Sequence, residues 1–159
     1  MIRYKVTITS SLGKTEHYEL AGSAMDAVGK AWANVLLSAP NNTAVYHSSE
    51  VGIAEEPRHP TTHYYEEPFP RICPMEMQLG DVVRSAMGGF HAWGTSVVIS
   101  RDDYEVTLFR PYVSVGDFSY CGRKEGQGSI ITCIGVNQWK VLTSDMRKDF
   151  WLLERREIR

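Results

Sequence analysis

His59 and His63 stand four positions apart, the spacing that on a helix would turn two imidazoles to one side and let them chelate zinc, and His47 lies upstream. Pro57 and Pro60 break any such helix, so these residues read as histidines of a connector and no metal site is assigned. Cys121 sits in Tyr120-Cys121-Gly122-Arg123-Lys124, where neighbouring cations would lower a thiol pKa, and His91 could supply a base. A buried or incidental thiol is the simpler account. There is no G-x-S-x-G nucleophile motif. The paired carboxylates Asp102-Asp103 and Glu66-Glu67 are explained by turn and connector chemistry rather than by glycosidase chemistry. The sequence therefore assigns no catalytic residue and no cofactor, and the expectation is a protein that is not an enzyme.

Binding chemistry is better represented. Phe90, His91 and Trp93 lie in a loop framed by Gly88, Gly89 and Gly94, where aromatic rings are less obliged to serve a core. Arg110 and Tyr112 bracket Pro111 shortly afterwards. Aromatic faces with a guanidinium are what a purine–phosphate ligand requires: stacking and cation–π contact for the base, a bidentate fork for the phosphate. Gly122-Arg123-Lys124-Glu125-Gly126-Gln127-Gly128-Ser129 adds Arg123, Lys124 and flexible backbone amides, although it lacks the Walker ending and no helix follows. The competing account makes Trp93 a plug closing the end of a barrel and leaves the glycine-rich stretch as a surface loop.

The elements that would position these residues fall into two groups. Residues 2–9 alternate, with Ile2, Tyr4, Val6 and Ile8 on one side and Arg3, Lys5, Thr7 and Thr9 on the other. After a turn at residues 10–13, residues 14–20 return as a hairpin partner. Ser23 is a good N-cap, and Asp26 suits a loose capping box or the first-turn dipole. Met25, Val28, Trp32, Val35 and Leu36 then recur at helical spacing, predicting an amphipathic helix with one stripe for the hairpin, ended at Pro40. Gly29 is read as a point of close approach to a sheet. Two short strands, 43–47 and 50–55, are expected around Ser48-Ser49.

Residues 57–70 carry four prolines and read as an extended connector. Beyond it nearly everything is strand: 79–84, then 95–101 and 104–110 around a two-residue turn at Asp102-Asp103, then 129–134, 136–142 and 150–153. In the hairpin, Tyr104, Val106 and Leu108 are assigned inward, against Glu105, Thr107 and Phe109. The charged end, Glu154-Arg155-Arg156-Glu157-Ile158-Arg159, reads as solvated. The expected fold is α+β: a β-hairpin–helix–β unit over 1–56, a Pro-rich connector over 57–74, and a small β-barrel or sandwich over 75–159. The first unit is too small to bury much alone, which points to packing on the second unit or to a homo-oligomer.

The chain's 159 residues are 43% hydrophobic, enough for a core. A net charge of -2 makes nucleic acid an unexpected partner. Cys73, Cys121 and Cys133 form no C-x-x-C, and an odd count without a secretory leader is the pattern of a reduced, cytoplasmic chain. No apolar run has the length of a membrane span, so no membrane partner is expected.

Four segments carry a resemblance. Leu79-Gly80-Asp81-Val82-Val83-Arg84, Trp93-Gly94-Thr95-Ser96-Val97-Val98, Leu108-Phe109-Arg110-Pro111-Tyr112-Val113 and Asp117-Phe118-Ser119-Tyr120 look like segments of small bacteriophage proteins. The first also resembles the opening strand of SH3-like barrels. The phage resemblance implies a protein acting in the cytoplasm of the bacterial host cell by sequestering a small nucleotide-like signal of bacterial immunity, with Phe90, Trp93, Arg110 and Arg123 as residues to test. The alternative is a protein–protein module, either an inhibitor of a host defence protein or a virion component, using the aromatic connector and a free hairpin edge.

Overall fold

Alternation along the first strand fixes the first sheet. Tyr4, Val6 and Ile8 point inward and are buried on β1 (Ile2–Ser10), which turns into β2 (Gly13–Ala21) in antiparallel register, Val6 opposite His17. Gly13 supplies the positive φ of +108° that this turn requires. The computed structural model describes residues 1–55, 69–86, 95–111, 131–135 and 138–156, with the backbone alone at 55 and 131–135.

Helix α1 (Ala24–Ser38) starts where Ser23 predicts: its Oγ accepts from the Asp26 amide at 3.2 Å. Asp26 does something other than complete a capping box. Its carboxylate accepts a hydrogen bond from the Thr95 hydroxyl in the second half of the chain. The helix is also not a one-striped surface helix. From Asp26 to Ala33 every residue is buried, because α1 lies between two sheets. Val28, Trp32 and Leu36 share a core with Val6 and Ile8 of β1 and with Val82 and Val97 of the second sheet. Lys30, buried within the helix, reaches the Leu20 carbonyl at 2.6 Å.

Gly29 is where the helix comes closest to the second sheet. A Cβ there would lie 2.8 Å from Thr95 Cγ2 and 3.3 Å from Val82 Cγ1. Alanine would gain about 1 kcal/mol of helix propensity. Thr95, however, is β-branched and held by Asp26, so it cannot swing away. Overpacking costs of about 1–3 kcal/mol outweigh that gain. Gly29→Ala is expected to lower the urea midpoint with an unchanged slope; a raised midpoint would contradict this packing.

Past Ala39 the chain makes a short turn at Pro40–Asn42 and enters β3 (Tyr46–Glu55). This is one strand rather than the two expected. Ser48 and Ser49 sit inside it, opposite Thr9 and Ile8, and the irregularity is confined to its ends at Thr9/Ser10 and Arg3/Tyr4. The order is β2-β1-β3, so α1 carries the chain across β1 between two parallel neighbours.

The second sheet contains β4 (Arg71–Ile72), β5 (Val82–Ser85), β6 (Thr95–Arg101), β7 (Glu105–Phe109), β8 (Ile131–Gly135), β9 (Gln138–Leu142) and β10 (Phe150–Glu154), in the order β4-β10-β5-β6-β7-β9-β8. All its pairs are antiparallel. Val82 and Val97 face α1. Val83, Val98, Leu108, Trp139 and Phe150 build a second core on the opposite face, with Met77 buried among them. The expected α+β class holds, as one helix and two sheets. The expected barrel does not: among the described residues β4 and β8 are opposite edges and do not pair. Residues 57–68 of the expected connector lie outside the described residues, and Arg71–Ile72 within it pairs with β10.

Three local readings are corrected. First, the sequence 79–84 opens with a turn: Gly80, at φ +83°, sits under Leu37, and the strand begins at Val82. Second, the β6–β7 turn spans Asp102, Asp103 and Tyr104, with no left-handed Asp; the Asp102 carboxylate instead accepts from the amides of Tyr104 and Glu105, each at 2.8 Å. Those two bonds hold the Asp102 carboxyl below the usual range. Tyr104, expected inward, is 80% exposed in this turn.

Third, the described part of the charged end, Glu154, Arg155 and Arg156, docks rather than floats. Arg155 forks onto the buried Asp81 carboxylate at 2.9 and 2.7 Å, and Arg156 reaches Glu19 at 2.8 Å and Glu154 at 2.7 Å. Glu19 also accepts from Asn34 of α1 at 2.7 Å. His17 lies within reach of this charge. Burial is the main cause of its lowered pKa, with Glu19 opposing and Arg156 reinforcing the shift. A depressed imidazole favours the neutral form in the folded state. Its contribution is complete above the unfolded value of about 6.5 and is lost as pH falls through the lower folded value. An NMR titration should place the His17 midpoint below that reference, and Arg156→Gln should raise it. A midpoint unmoved by Arg156→Gln would show that the two groups do not interact.

Candidate ligand-binding site

A cavity of about 510 Å³ opens where the end of α1, the start of β3 and the α1-facing side of the second sheet meet. Such a volume lies within the range of small-molecule sites. Three rings from three elements form its wall: Trp32 of α1, Tyr46 of β3 and Phe109 of β7. Trp32 and Tyr46 meet nearly edge-on, with centroids 5.3 Å apart at 85°. Phe109 lies 5.9 Å from Trp32 and 5.6 Å from Tyr46, inclined at 54° and 61°. These are favourable offset geometries for aromatic rings. Trp32 is buried, whereas Tyr46 and Phe109 are half-buried and leave surface for a ligand. The Tyr46 hydroxyl is tied to Ser49 Oγ at 2.6 Å, which fixes the ring before anything binds.

The rim is polar. Asn42, Thr43, His47 and Gln138 contribute amide, hydroxyl and imidazole groups, and among the described residues no Lys, Arg, Asp or Glu lines the cavity. Asn41 and Asn42 both have positive φ, 55° and 52°. Asparagine tolerates that conformation better than most residues, because its short side chain bonds locally. The pair is held by the Asn42 amide donating to the Ala39 carbonyl at 3.0 Å. The rim is therefore a fixed turn.

This is not the site the sequence pointed to. Phe90, His91, Trp93, Tyr112, Arg123 and Lys124 lie outside the described residues, as do Cys121, His59 and His63. Of the expected ligand residues only Arg110 is described, and it is 4% exposed. It follows the last residue of β7, Phe109, and is not among the residues that line the cavity. Among the described residues no group of histidines, cysteines and carboxylates has the arrangement of a metal site.

The sequence held one signal for the cavity. Phe109 falls on the strand face that carries Glu105 and Thr107, and an aromatic on the more polar side of a hairpin marks a second contact surface. Trp32 gave no such signal, because its place in the helical repeat is fully explained by a core. No protein-family model, curated protein or solved structure matches the chain.

Proposed function

We propose that this is a non-catalytic binding protein, phage-encoded, that holds a small nucleotide-like signalling molecule in the host cytoplasm as a homo-oligomer and so counters bacterial immunity. The observation that carries the binding part is the Trp32–Tyr46–Phe109 wall of the 510 Å³ cavity, built from three separate elements and bordered by amide side chains. Aromatic faces take a planar base, and neutral amides match its edge. The phage origin and the signal-sequestering role are supported by the four sequence segments that resemble phage proteins. The SH3-like reading of the second sheet belongs to the same proposal, supported by the sequence 79–84 and the antiparallel run β5, β6, β7.

Calorimetry against a panel of mononucleotides, cyclic dinucleotides and ADP-ribose tests it. Saturable binding with the ligand recovered intact is the expected result. Turnover of the ligand would overturn the non-catalytic reading, and heats at the dilution level across the panel would remove the binding reading.

A protein–protein module is the second reading, favoured by the outer face of the first sheet. Tyr18 and Leu20 are each more than half exposed there, and Tyr18 borders a shallow depression with Lys5 and Glu50. One host protein co-purifying at fixed stoichiometry with the intact chain, but not with a Leu20→Glu variant, would support it.

A further inference from the structure

We infer that the cavity reads the base of its ligand and not the phosphate, so that an uncharged nucleoside is a sufficient ligand. The inference rests on the small-molecule reading above and narrows it to a chemical class. Three features carry it.

The first is the wall. Tyr46 and Phe109 offer π surface over the buried Trp32, whose indole nitrogen is enclosed, and the Tyr46 hydroxyl already donates to Ser49. Stacking on such a wall is tolerant of ring identity and indifferent to charge. The second is the rim. Asn42 and Gln138 each present one acceptor and one two-proton donor, the complement of a base edge carrying both donors and acceptors. A carboxamide does not neutralise a phosphate, and nothing at this rim among the described residues carries a permanent positive charge. The third is Arg110. It is the guanidinium nearest in sequence to the wall, yet it is buried and is not among the residues that line the cavity. A phosphate fork at Arg110 and stacking on Phe109 cannot serve one small ligand at one site.

A nucleoside seated against the three rings would direct its base edge to Asn42 and Gln138. A phosphate, when present, would project from the open side into water. Asn42 deserves the sharper role of the two. Its left-handed backbone holds the amide at the rim, at a conformation where most other side chains would be strained.

The test compares adenosine, guanosine, cytidine and uridine with their 5′-monophosphates by calorimetry on the full chain. At least one nucleoside should bind within about threefold of its monophosphate, and its affinity should stay flat between roughly 50 and 500 mM salt, because no phosphate charge is neutralised. Asn42→Gly keeps the backbone conformation and removes the amide; it should weaken binding by about tenfold, the value of one well-placed hydrogen bond. Phe109→Leu keeps an apolar filler and should weaken it by a comparable factor. Binding of a monophosphate alone, with affinity falling steeply in salt, would overturn base reading while sparing the small-molecule function. Binding of neither partner of any pair would overturn both. Binding unaffected by Asn42→Gly and Phe109→Leu would place the ligand elsewhere and overturn the inference.

Discussion

Trp32→Ala is expected to cost about 3–5 kcal/mol, the range for deleting a buried tryptophan, and to abolish ligand binding together with much of the stability. Trp32 is 2% exposed and joins the core shared by both sheets. It touches rings on β3 and β7 as well, so its loss opens a void at the point where all three layers meet. Collapse into that void is hindered because Tyr46 is tied to Ser49. Trp32→Phe separates the two roles. The indole nitrogen is enclosed without a hydrogen-bond partner among the described residues, so removing that donor forfeits little. The Phe variant should keep most of the stability, with a loss nearer 1 kcal/mol from its smaller volume. Chemical denaturation of both variants checks this; equal losses for Ala and Phe would contradict the packing.

Arg155→Ala is the second large effect. The Asp81 side chain is 1% exposed and accepts from both Arg155 nitrogens and from the Gln78 amide at 2.8 Å. Removing the guanidinium leaves a carboxylate enclosed with one remaining donor. Breaking a buried pair costs about 3–5 kcal/mol; because the Arg155 side chain is 35% exposed, water relieves part of that, and about 2–3 kcal/mol is expected. Arg155→Lys should recover only part of the loss, since an ammonium cannot form the fork. The double variant Asp81→Asn, Arg155→Ala should be more stable than Arg155→Ala alone, because the neutral amide has no charge left to desolvate. Thermal melts of the wild type, Asp81→Asn, Arg155→Ala and the double variant measure it, and additive effects at the two positions would contradict the pairing.

These two residues also show where the sequence was legible. Short-range rules worked for the hairpin, the Ser23 cap, the helix and the strands around Asp102, because each depends on neighbours within a few positions. Gly29 was readable as a point of close approach, but to the hairpin sheet, whereas its neighbours are Thr95 and Val82 of the second sheet. The rest depended on partners far away in the chain. Arg155 in a run of charges looks like any solvated end, and its role is set by Asp81, 74 positions earlier. Asp26 reads as a first-turn acid, yet the Thr95 hydroxyl decides its orientation. A helix with one apolar stripe and a helix with two differ here only by Ala27, Ala31, Ala33 and Gly29, small residues that are equally at home on a surface.

The cavity wall assembled from α1, β3 and β7 is the centre of the functional account. The most direct test is an NMR titration of the full chain with each of the four nucleosides and its 5′-monophosphate, observing, for the pair that binds, the Tyr46 and Phe109 rings, the Trp32 indole and the Ile99 methyl groups that line the cavity. The account predicts that these signals shift together and saturably, with the side-chain amides of Asn42 and Gln138 following. Shifts confined to Arg110 and to residues outside the cavity would contradict it.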